Sequence, residues 1–138
     1  MIIDKLLQVS DDQAVTATAA STDVIDFGQK TPNTGLTDRL SMVITVGAAA
    51  TAAGAATVTF AVQDSADNST FADVVASAAV GVASLAAGAQ VVIPMPVLHR
   101  RYVRLNYTVA TGPLTAGKFS AQVVAGLQLN TPLPGAPL

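Results

Sequence analysis

The chain has 138 residues, a length that fits one domain able to bury a core without metal ions or disulfides. Its formal net charge of −2 excludes a broadly basic nucleic-acid binder, and the absence of cysteine excludes a disulfide framework, a thiolate nucleophile and a cysteine-based metal site. Charged residues make up only 12% of the chain, so we expect a surface poor in charge, as found where partners cover a protein.

The N-terminal residues 1–9 fit either a short strand or one helical turn. Asp4 and Lys5 interrupt their apolar character, so we expect no cleavable leader. A second stretch, residues 74–98, contains no charge at all, but serine, glycine, glutamine and proline interrupt it too often for a membrane-spanning helix. The sequence therefore predicts no membrane partner.

Alternation of apolar and polar residues with a period of two dominates the rest of the chain. Such alternation is typical of half-buried strands, and turn-forming residues separate the segments that carry it. The strongest segments are 39–47, 56–64, 100–109 and 118–126, and weaker ones are 13–19, 23–28, 71–77, 80–86 and 89–95. Eight or nine short strands with few helical signals predict an all-β, antiparallel fold: a sandwich, a jelly roll or a barrel.

Two segments depart from this pattern. Residues 47–56, GAAATAAGAA, lie between two strong strands and are predicted to form a long loop or a hairpin tip. Residues 130–138, NTPLPGAPL, contain three prolines and are predicted to form an extended tail. We therefore predict one β-sandwich domain with an N-terminal arm over residues 1–129, followed by a Pro-rich tail over residues 130–138.

The segment HRRYVRLNYTV, residues 99–109, holds three of the seven lysine and arginine residues. As a strand it would direct Val103, Leu105, Tyr107 and Val109 to the core and the side chains of Arg100, Tyr102, Arg104, Asn106 and Thr108 outward. Arginine and tyrosine are enriched at protein interfaces, so Arg100, Tyr102 and Arg104 are candidate partner-binding residues. The alternative is a solvated outer face. Arg101 has the parity of the core residues and is expected at the strand's start, reaching solvent or a loop carboxylate.

Residues suited to catalysis or metal binding are sparse. The single histidine, His99, is more readily explained at a strand boundary than as a catalytic base, and the pairs Asp11/Asp12 and Asp23/Asp26 fit turns and strand ends. Asp64, Asp67, Asn68 and Asp73 offer oxygen ligands of the kind that calcium prefers, but their spacing does not fit an EF-hand loop and favours a hairpin loop. No phosphate-binding glycine motif is present in the sequence. We expect no catalytic residues, no metal and no cofactor, and hence a protein that is not an enzyme.

The N-terminal run MIIDKLLQVSDDQAVTATAASTDVIDFG, residues 1–28, resembles the start of the capsid cement proteins of tailed bacteriophages. It resembles especially the family typified by the cement protein of a short-tailed Bordetella phage. This resemblance implies a jelly-roll β-sandwich on the outside of an HK97-like shell, in the virion of a phage assembled in the bacterial cytoplasm. It also implies two partners, namely the major capsid protein and further copies of the chain, with a homodimer favoured over a trimer.

Two further points concern the tail and a second, local similarity. Extended arms can lie in grooves of a partner, so Leu133 and Pro134 of the tail join the candidate partner-binding residues. DSADNSTFADV together with RRYVRLNYTV is also similar to discoidin-type jelly rolls, which keeps open a virion module that binds a glycan or a receptor. Against that alternative, the chain has no tryptophan and only two tyrosines to form a sugar-binding platform.

Overall fold

The computed structural model describes residues 2–34 and 38–127, and nearly all of its regular structure is β-strand. A short 3-10 helix, Lys5–Leu7, precedes the first strand, and a second one, Val82–Ser84, follows the seventh. The strands are β1 (Gln8–Ala14), β2 (Ala19–Ala20), β3 (Ile25–Asp26), β4 (Ser41–Thr51), β5 (Thr57–Ser65), β6 (Ala72–Ala76), β7 (Val80–Gly81), β8 (Gln90–Pro94), β9 (Tyr102–Ala110) and β10 (Ala116–Val124).

The strands form two antiparallel sheets within one domain. The first sheet has the order β1-β10-β4-β8. In the second, β9 and β5 are central, with β2 and β3 both on the outer side of β9 and β6 and β7 both on the outer side of β5. Each sheet thus has four strand positions, and the first and last strands lie side by side. This winding is that of a jelly roll, so the predicted fold class is confirmed.

The core lies between the sheets and is built by alternate residues of the long strands. Phe60 of β5, Tyr107 of β9 and Phe119 of β10 form an aromatic cluster with ring centroids 5.5–5.8 Å apart, which connects the two sheets. All three side chains are fully buried. Contacts of this geometry stabilise a core beyond the burial of their area.

Most of the predicted strands are present, with three differences. The strand predicted at residues 80–86 pairs only over Val80–Gly81, because the chain then turns into the 3-10 helix Val82–Ser84. The segment predicted at residues 13–19 is displaced, because β1 runs over Gln8–Ala14 and only two residues pair at Ala19–Ala20. The loop predicted at residues 47–56 is shorter than expected, because β4 continues to Thr51 and pairs there with Ala116. The short strand and the helical turn that were alternatives for residues 1–9 both occur in part. A helical turn at Lys5–Leu7 is followed directly by β1, which begins at Gln8.

The predicted boundary between residues 129 and 130 lies outside the described residues. Over residues 2–34 and 38–127, no helix is long and apolar enough to cross a membrane.

Candidate interaction surface

The topology gathers the chain's charged loops and its N-terminal segment at one end of the sandwich. The start of β4 pairs with the ends of β10 and β8, and the start of β9 pairs with β3 and with the end of β5. The tight connection between β4 and β5 is at the opposite end, so all of these strand termini share one end. We call it the arginine end; it comprises residues 2–7, 27–34, 38–40, 66–71, 95–101 and 125–127.

Charge and exposed apolar side chains are both concentrated there. Five of the seven lysine and arginine residues lie in these segments, namely Lys5, Lys30, Arg39, Arg100 and Arg101. The same segments carry the exposed large aliphatic side chains Ile2, Ile3, Leu6, Val97, Leu98 and Leu127. The opposite, uncharged end, residues 15–18, 52–56, 82–89 and 111–115, contains no charged residue. Apolar and arginine side chains together are the composition of a protein-binding surface.

Arg100 is fixed by the carboxylate of Asp64 at the end of β5. Its backbone N–H donates to Asp64 Oδ2 and its Nε to Oδ1, each at 2.8 Å, and its Nη2 donates to the Asp64 carbonyl at 2.8 Å. Burial of Asp64 acts to raise the pKa of its carboxyl, but these hydrogen bonds outweigh burial and the pKa lies below its ordinary value. The predicted partner-binding residue Arg100 therefore already has an internal partner.

Arg101 makes a second, more exposed pair across the strands. Its Nε and Nη2 donate to the two carboxylate oxygens of Asp26 at 2.7 and 2.9 Å, and its guanidinium lies 5.0 Å from the centroid of the Tyr102 ring. These hydrogen bonds, with one from the Gly28 backbone, lower the pKa of Asp26 to about 2. The expectation that Arg101 reaches a carboxylate at the strand's start is confirmed, although Asp26 belongs to β3 and not to a loop.

Arg104 lies on the outer face of the second sheet and has no direct carboxylate partner among the described residues. Its Nε donates to Gln63 Oε1 at 2.8 Å, and Gln63 Nε2 donates to Asp73 Oδ1 at 2.7 Å. Its guanidinium also stacks 3.9 Å from the centroid of the Phe71 ring. Since the charge is held in place but not neutralised by contact, Arg104 and the half-buried Tyr102 form the part of the predicted site best suited to an acidic partner.

His99 joins the loops of the arginine end and is buried. One ring nitrogen, Nδ1, is 2.8 Å from the Arg100 carbonyl, and the other, Nε2, is 2.7 Å from the Thr34 hydroxyl. The ring also packs on Phe27 with centroids 4.7 Å apart. The interpretation of His99 as a boundary residue fits this arrangement, because both of its nitrogens contact structural groups.

The carboxylates weighed as calcium ligands point to separate partners. Asp64 contacts Arg100 and Asp73 contacts Gln63, while Asp67 Oδ1 accepts the backbone N–H groups of Ser69 and Thr70 at 2.9 Å each. These bonds and one from the Ser65 hydroxyl lower the pKa of Asp67 to about 2. Within the described segments, no group of three metal-ligating side chains occurs. The hairpin-loop interpretation of this segment is confirmed.

The N-terminal segment, residues 2–7, carries exposed apolar side chains, and we call it the peg. Ile2 and Leu6 are 81% and 84% exposed, and Ile3 is 47% exposed. The peg is nevertheless held in place, because Asp4 Oδ1 accepts the Leu6 backbone N–H at 2.9 Å and Lys5 Nζ contacts Gln8 and Asp11. The sequence allowed a helical turn in this segment, but it did not predict that Asp4 caps the turn while the apolar side chains stay exposed.

A groove with both polar and apolar walls lies at the other side of the first sheet. It has a volume of about 280 Å³ and is lined by Thr34, Arg39, Leu40, Ser41, Pro94, Met95 and Val97. Arg39 makes no hydrogen bond or ion pair with the other described residues. Sequence reasoning missed the groove, since its walls come from segments more than fifty residues apart along the chain. The remaining predicted site residues, Leu133 and Pro134, lie outside the described residues.

The fold and this surface define the class: a single-domain jelly-roll protein with arginines and exposed aliphatic side chains concentrated at one end. The chain belongs to the Bbp16 family, whose model matches residues 9–123. The family's name suggests a Bordetella phage protein. This agrees with the phage origin that the resemblance of residues 1–28 implies. No curated protein matches the sequence.

Proposed function

We propose that this protein is a capsid cement protein, which binds the outer surface of a tailed-phage head and stabilises it by clamping neighbouring major capsid subunits. The observation that carries the proposal is the outer face of the second sheet in this phage-family jelly roll, where Arg104 has no direct carboxylate partner among the described residues and lies beside the half-buried Tyr102. On this proposal the protein is part of the virion, has no catalytic activity and is assembled with the head in the bacterial cytoplasm.

Cementing requires only differential binding. A protein that binds the assembled lattice but not the separate subunits stabilises the assembly by the free energy of binding at each site. The lattice repeats the site many times, so weak single contacts suffice when each copy is held by more than one of them. A rigid jelly roll suits this role because its contact residues are fixed before binding.

The contact with the capsid is assigned to the outer face of β9 and its neighbours. Arg104 is held by Gln63 and Phe71 with its charge directed along that face, and Tyr102 adds a half-buried aromatic ring. An acidic capsid surface would complement this face. Arg100 contributes mainly by keeping the loop before β9 in position through Asp64.

Co-sedimentation with phage heads that lack the protein tests the proposal. We expect saturation at a fixed ratio to the major capsid protein, with weaker binding at high salt because charged contacts are screened. Binding without saturation, or none at all, would contradict a cement role. In that case a glycan array tests the alternative of a virion module that binds a glycan or receptor.

A double variant, Tyr102→Ala with Arg104→Ala, tests the assigned face. We expect its affinity for heads to fall about tenfold or more, because tyrosine and arginine dominate interface energies. Lys118→Ala is the matched control, since Lys118 is an exposed cation on β10, away from this face, and pairs with Asp12. Arg100 stays in place in these variants, because its removal would leave Asp64 without its cation.

Deleting residues 130–138 tests the tail, including Leu133 and Pro134. If the tail binds a neighbour, the deletion weakens head binding while thermal unfolding of the domain stays unchanged. An unchanged affinity would remove the tail from the proposed contacts.

A further inference from the structure

Arg104 lies at the centre of a small site on the outer face of the second sheet. Its Nε donates to Gln63 Oε1 at 2.8 Å, and its guanidinium carbon lies 3.9 Å from the centroid of the Phe71 ring. The two terminal nitrogens, Nη1 and Nη2, form no hydrogen bond with the described residues. The N–H groups of both terminal nitrogens therefore remain for a partner.

The side chain of Gln63 separates this guanidinium from the carboxylate of Asp73. Its Oε1 accepts the hydrogen bond from Arg104, and its Nε2 donates to Asp73 Oδ1 at 2.7 Å. The amide joins the cation to the carboxylate through two hydrogen bonds, but it keeps the two charged groups from direct contact. Among the described residues, Asp73 forms no ion pair with any cation.

The two arginines that precede this strand have carboxylate partners. Arg100 donates to Asp64 and Arg101 to Asp26, in each case to carboxylate oxygens. The residue opposite Arg104 in the register of β5 and β9 has an amide instead. A glutamate of the same length would neutralise the cation by direct contact, so the amide at this position leaves the positive charge available.

The setting of Arg104 favours a planar anion. A guanidinium binds a carboxylate through two parallel hydrogen bonds, which gives a geometry that an ammonium group cannot reproduce. The contacts with Gln63 and Phe71 fix the side chain before binding, so little conformational entropy is lost when a partner arrives. The hydroxyl of the half-buried Tyr102, two residues earlier on the same face, also forms no hydrogen bond with the described residues.

We propose that Arg104 receives one carboxylate of the phage head, from an aspartate or glutamate side chain, on the edge formed by its Nη1 and Nη2 atoms. Gln63 and Phe71 are positioning residues of this site, and Gln63 is also the spacer that prevents internal neutralisation. The inference rests on the proposed function for the identity of the partner, and it deepens that function by naming the group that the assigned face binds. An acidic sugar carries the same group, but the chain has no tryptophan to form a sugar-binding platform.

An exchange within the hydrogen-bond network, Gln63→Glu/Asp73→Asn, tests the inference. It moves a carboxylate from position 73 to position 63, next to Arg104, while the net charge and the side-chain lengths stay the same. The hydrogen bond between the two positions is kept with donor and acceptor exchanged. We expect the affinity for heads to fall about tenfold, because the guanidinium is then neutralised within the chain.

Asp73→Asn alone is the matched control. It removes the same carboxylate without placing one beside Arg104, and the amide oxygen that it introduces still accepts from Gln63. We expect its affinity for heads to rise about twofold, since a negative charge near the cation is lost. A fall similar to that of the exchange variant would show that position 73 itself determines binding, which would contradict the inference.

Two further variants test the geometry of the site, with thermal unfolding as a check that each one folds. Arg104→Lys keeps the positive charge but loses the two parallel hydrogen bonds, so we expect the affinity for heads to fall about tenfold. Phe71→Leu keeps an apolar side chain but removes the ring that orients the guanidinium, and we expect a fall of about threefold.

A measurement without heads separates this inference from the proposed function. Acetate is titrated into the full chain, and the NMR signals of the arginine side chains report carboxylate binding directly. We expect a saturable shift at Arg104 that exceeds the shift at Arg101, whose Nε and Nη2 already donate to Asp26. The exchange variant Gln63→Glu/Asp73→Asn should abolish the response of Arg104.

Two results would overturn the inference: an Arg104 signal no more responsive to acetate than that of Arg101, or native head affinity in the exchange variant. Neither bears on the proposed function, which is read from saturable head binding by the native chain. Acetate binding at Arg104 without head binding would support the carboxylate site and contradict the cement role. Acidic glycans that bind the native chain but not Arg104→Lys would overturn the head as the source of the carboxylate.

Discussion

The hydroxyl of Tyr107 connects the aromatic cluster of the core to the first strand. It donates to the Ser10 hydroxyl at 2.8 Å, and Ser10 donates in turn to Gln13 Oε1 at 2.8 Å. Gln13 also accepts the Thr22 backbone N–H and donates to the Ala20 carbonyl. This chain of hydrogen bonds fixes the polar strand β1, which has few apolar side chains of its own to bury.

Tyr107→Phe tests the contribution of that hydroxyl. Because Ser10 keeps its bond to Gln13, we expect a loss of about 0.5–1.5 kcal/mol in the free energy of unfolding, measured in urea. Tyr107→Ala also removes the ring from the core and should cost about 3–5 kcal/mol. Equal losses for the two variants would show that the hydroxyl, and not the ring, determines the stability at this position.

Burial raises the pKa of Tyr107 to about 12, although the hydrogen bond with Ser10 acts to lower this pKa. The unfolded chain therefore releases this proton first, so stability should fall as the pH rises from about 10 toward 12. Tyr107→Phe should show a smaller loss over the same range in thermal melts.

Asp26 and Asp67 make the opposite prediction at low pH. Both carboxyls have a folded pKa of about 2 against an ordinary value of 3.8, so the unfolded chain takes up their protons first. Their contribution to stability is complete above about pH 4 and is lost as the pH falls toward 2. The melting temperature should fall less between about pH 4 and pH 2 in Asp26→Asn and in Asp67→Asn than in the native chain. Asp23→Asn serves as the control.

At the scale of elements, β9 shows how far the sequence predicts local structure. Val103, Leu105 and Tyr107 are fully buried as predicted, and the intervening side chains lie on the outer face. Alternation suffices there because one face meets the core and the other meets solvent. The same reasoning located β4, β5 and β10.

Alternation fails for β1 because its burial depends on partners distant in sequence. Gln8 and Ser10 are buried polar residues. The hydroxyl of Ser10 accepts a hydrogen bond from Tyr107, which is 97 residues away along the chain. A polar run such as QVSDDQA carries no apolar period, so its pairing with β10 could not be predicted locally. Bulges between β1 and β10 shift the register further.

Strand β8 lies at the edge of the first sheet, and prolines reduce the number of backbone N–H groups that this edge offers for pairing. The backbone N–H of Met95 and the carbonyl of Ala89 face β4, so the residues of opposite parity, including Pro94, face the open edge. Pro94 and Pro96 present no N–H there, which discourages pairing with another edge strand.

Replacing both prolines, in Pro94→Thr/Pro96→Thr, should therefore create an edge competent for pairing. We expect light scattering to show more self-association on heating than for the native chain. Pro113→Thr, in the uncharged end, is the control and should not increase aggregation.

At the scale of the whole molecule, the jelly roll makes almost every strand pairing non-local. The first strand pairs with the last, and β4 pairs with both β8 and β10. Non-local pairing slows folding because loop closure precedes the stabilising contacts, so stopped-flow refolding should take milliseconds to seconds. Refolding within microseconds would contradict this expectation.

The candidate surface was predictable only in part. The arginines of residues 99–104 stand out in a chain of few charges, so the sequence alone selects Arg100, Tyr102 and Arg104. Their internal partners Asp64 and Gln63 could not be predicted, because the register of β5 against β9 decides those contacts. The peg and groove share the same limitation, since only the sheet order brings the two features to one end.

The uncharged end has a practical consequence if Tyr102 and Arg104 contact the head, because both residues lie toward the opposite end of β9. Gly54 lies at the turn between β4 and β5, and a side chain built there would meet no atom within 4 Å. A peptide inserted between Ala53 and Gly54 would then extend from the virion into the medium, accessible to an antibody without disturbing either contact. Under the proposed function, the point of insertion and the proposed contact residues would be separated by most of the length of β9.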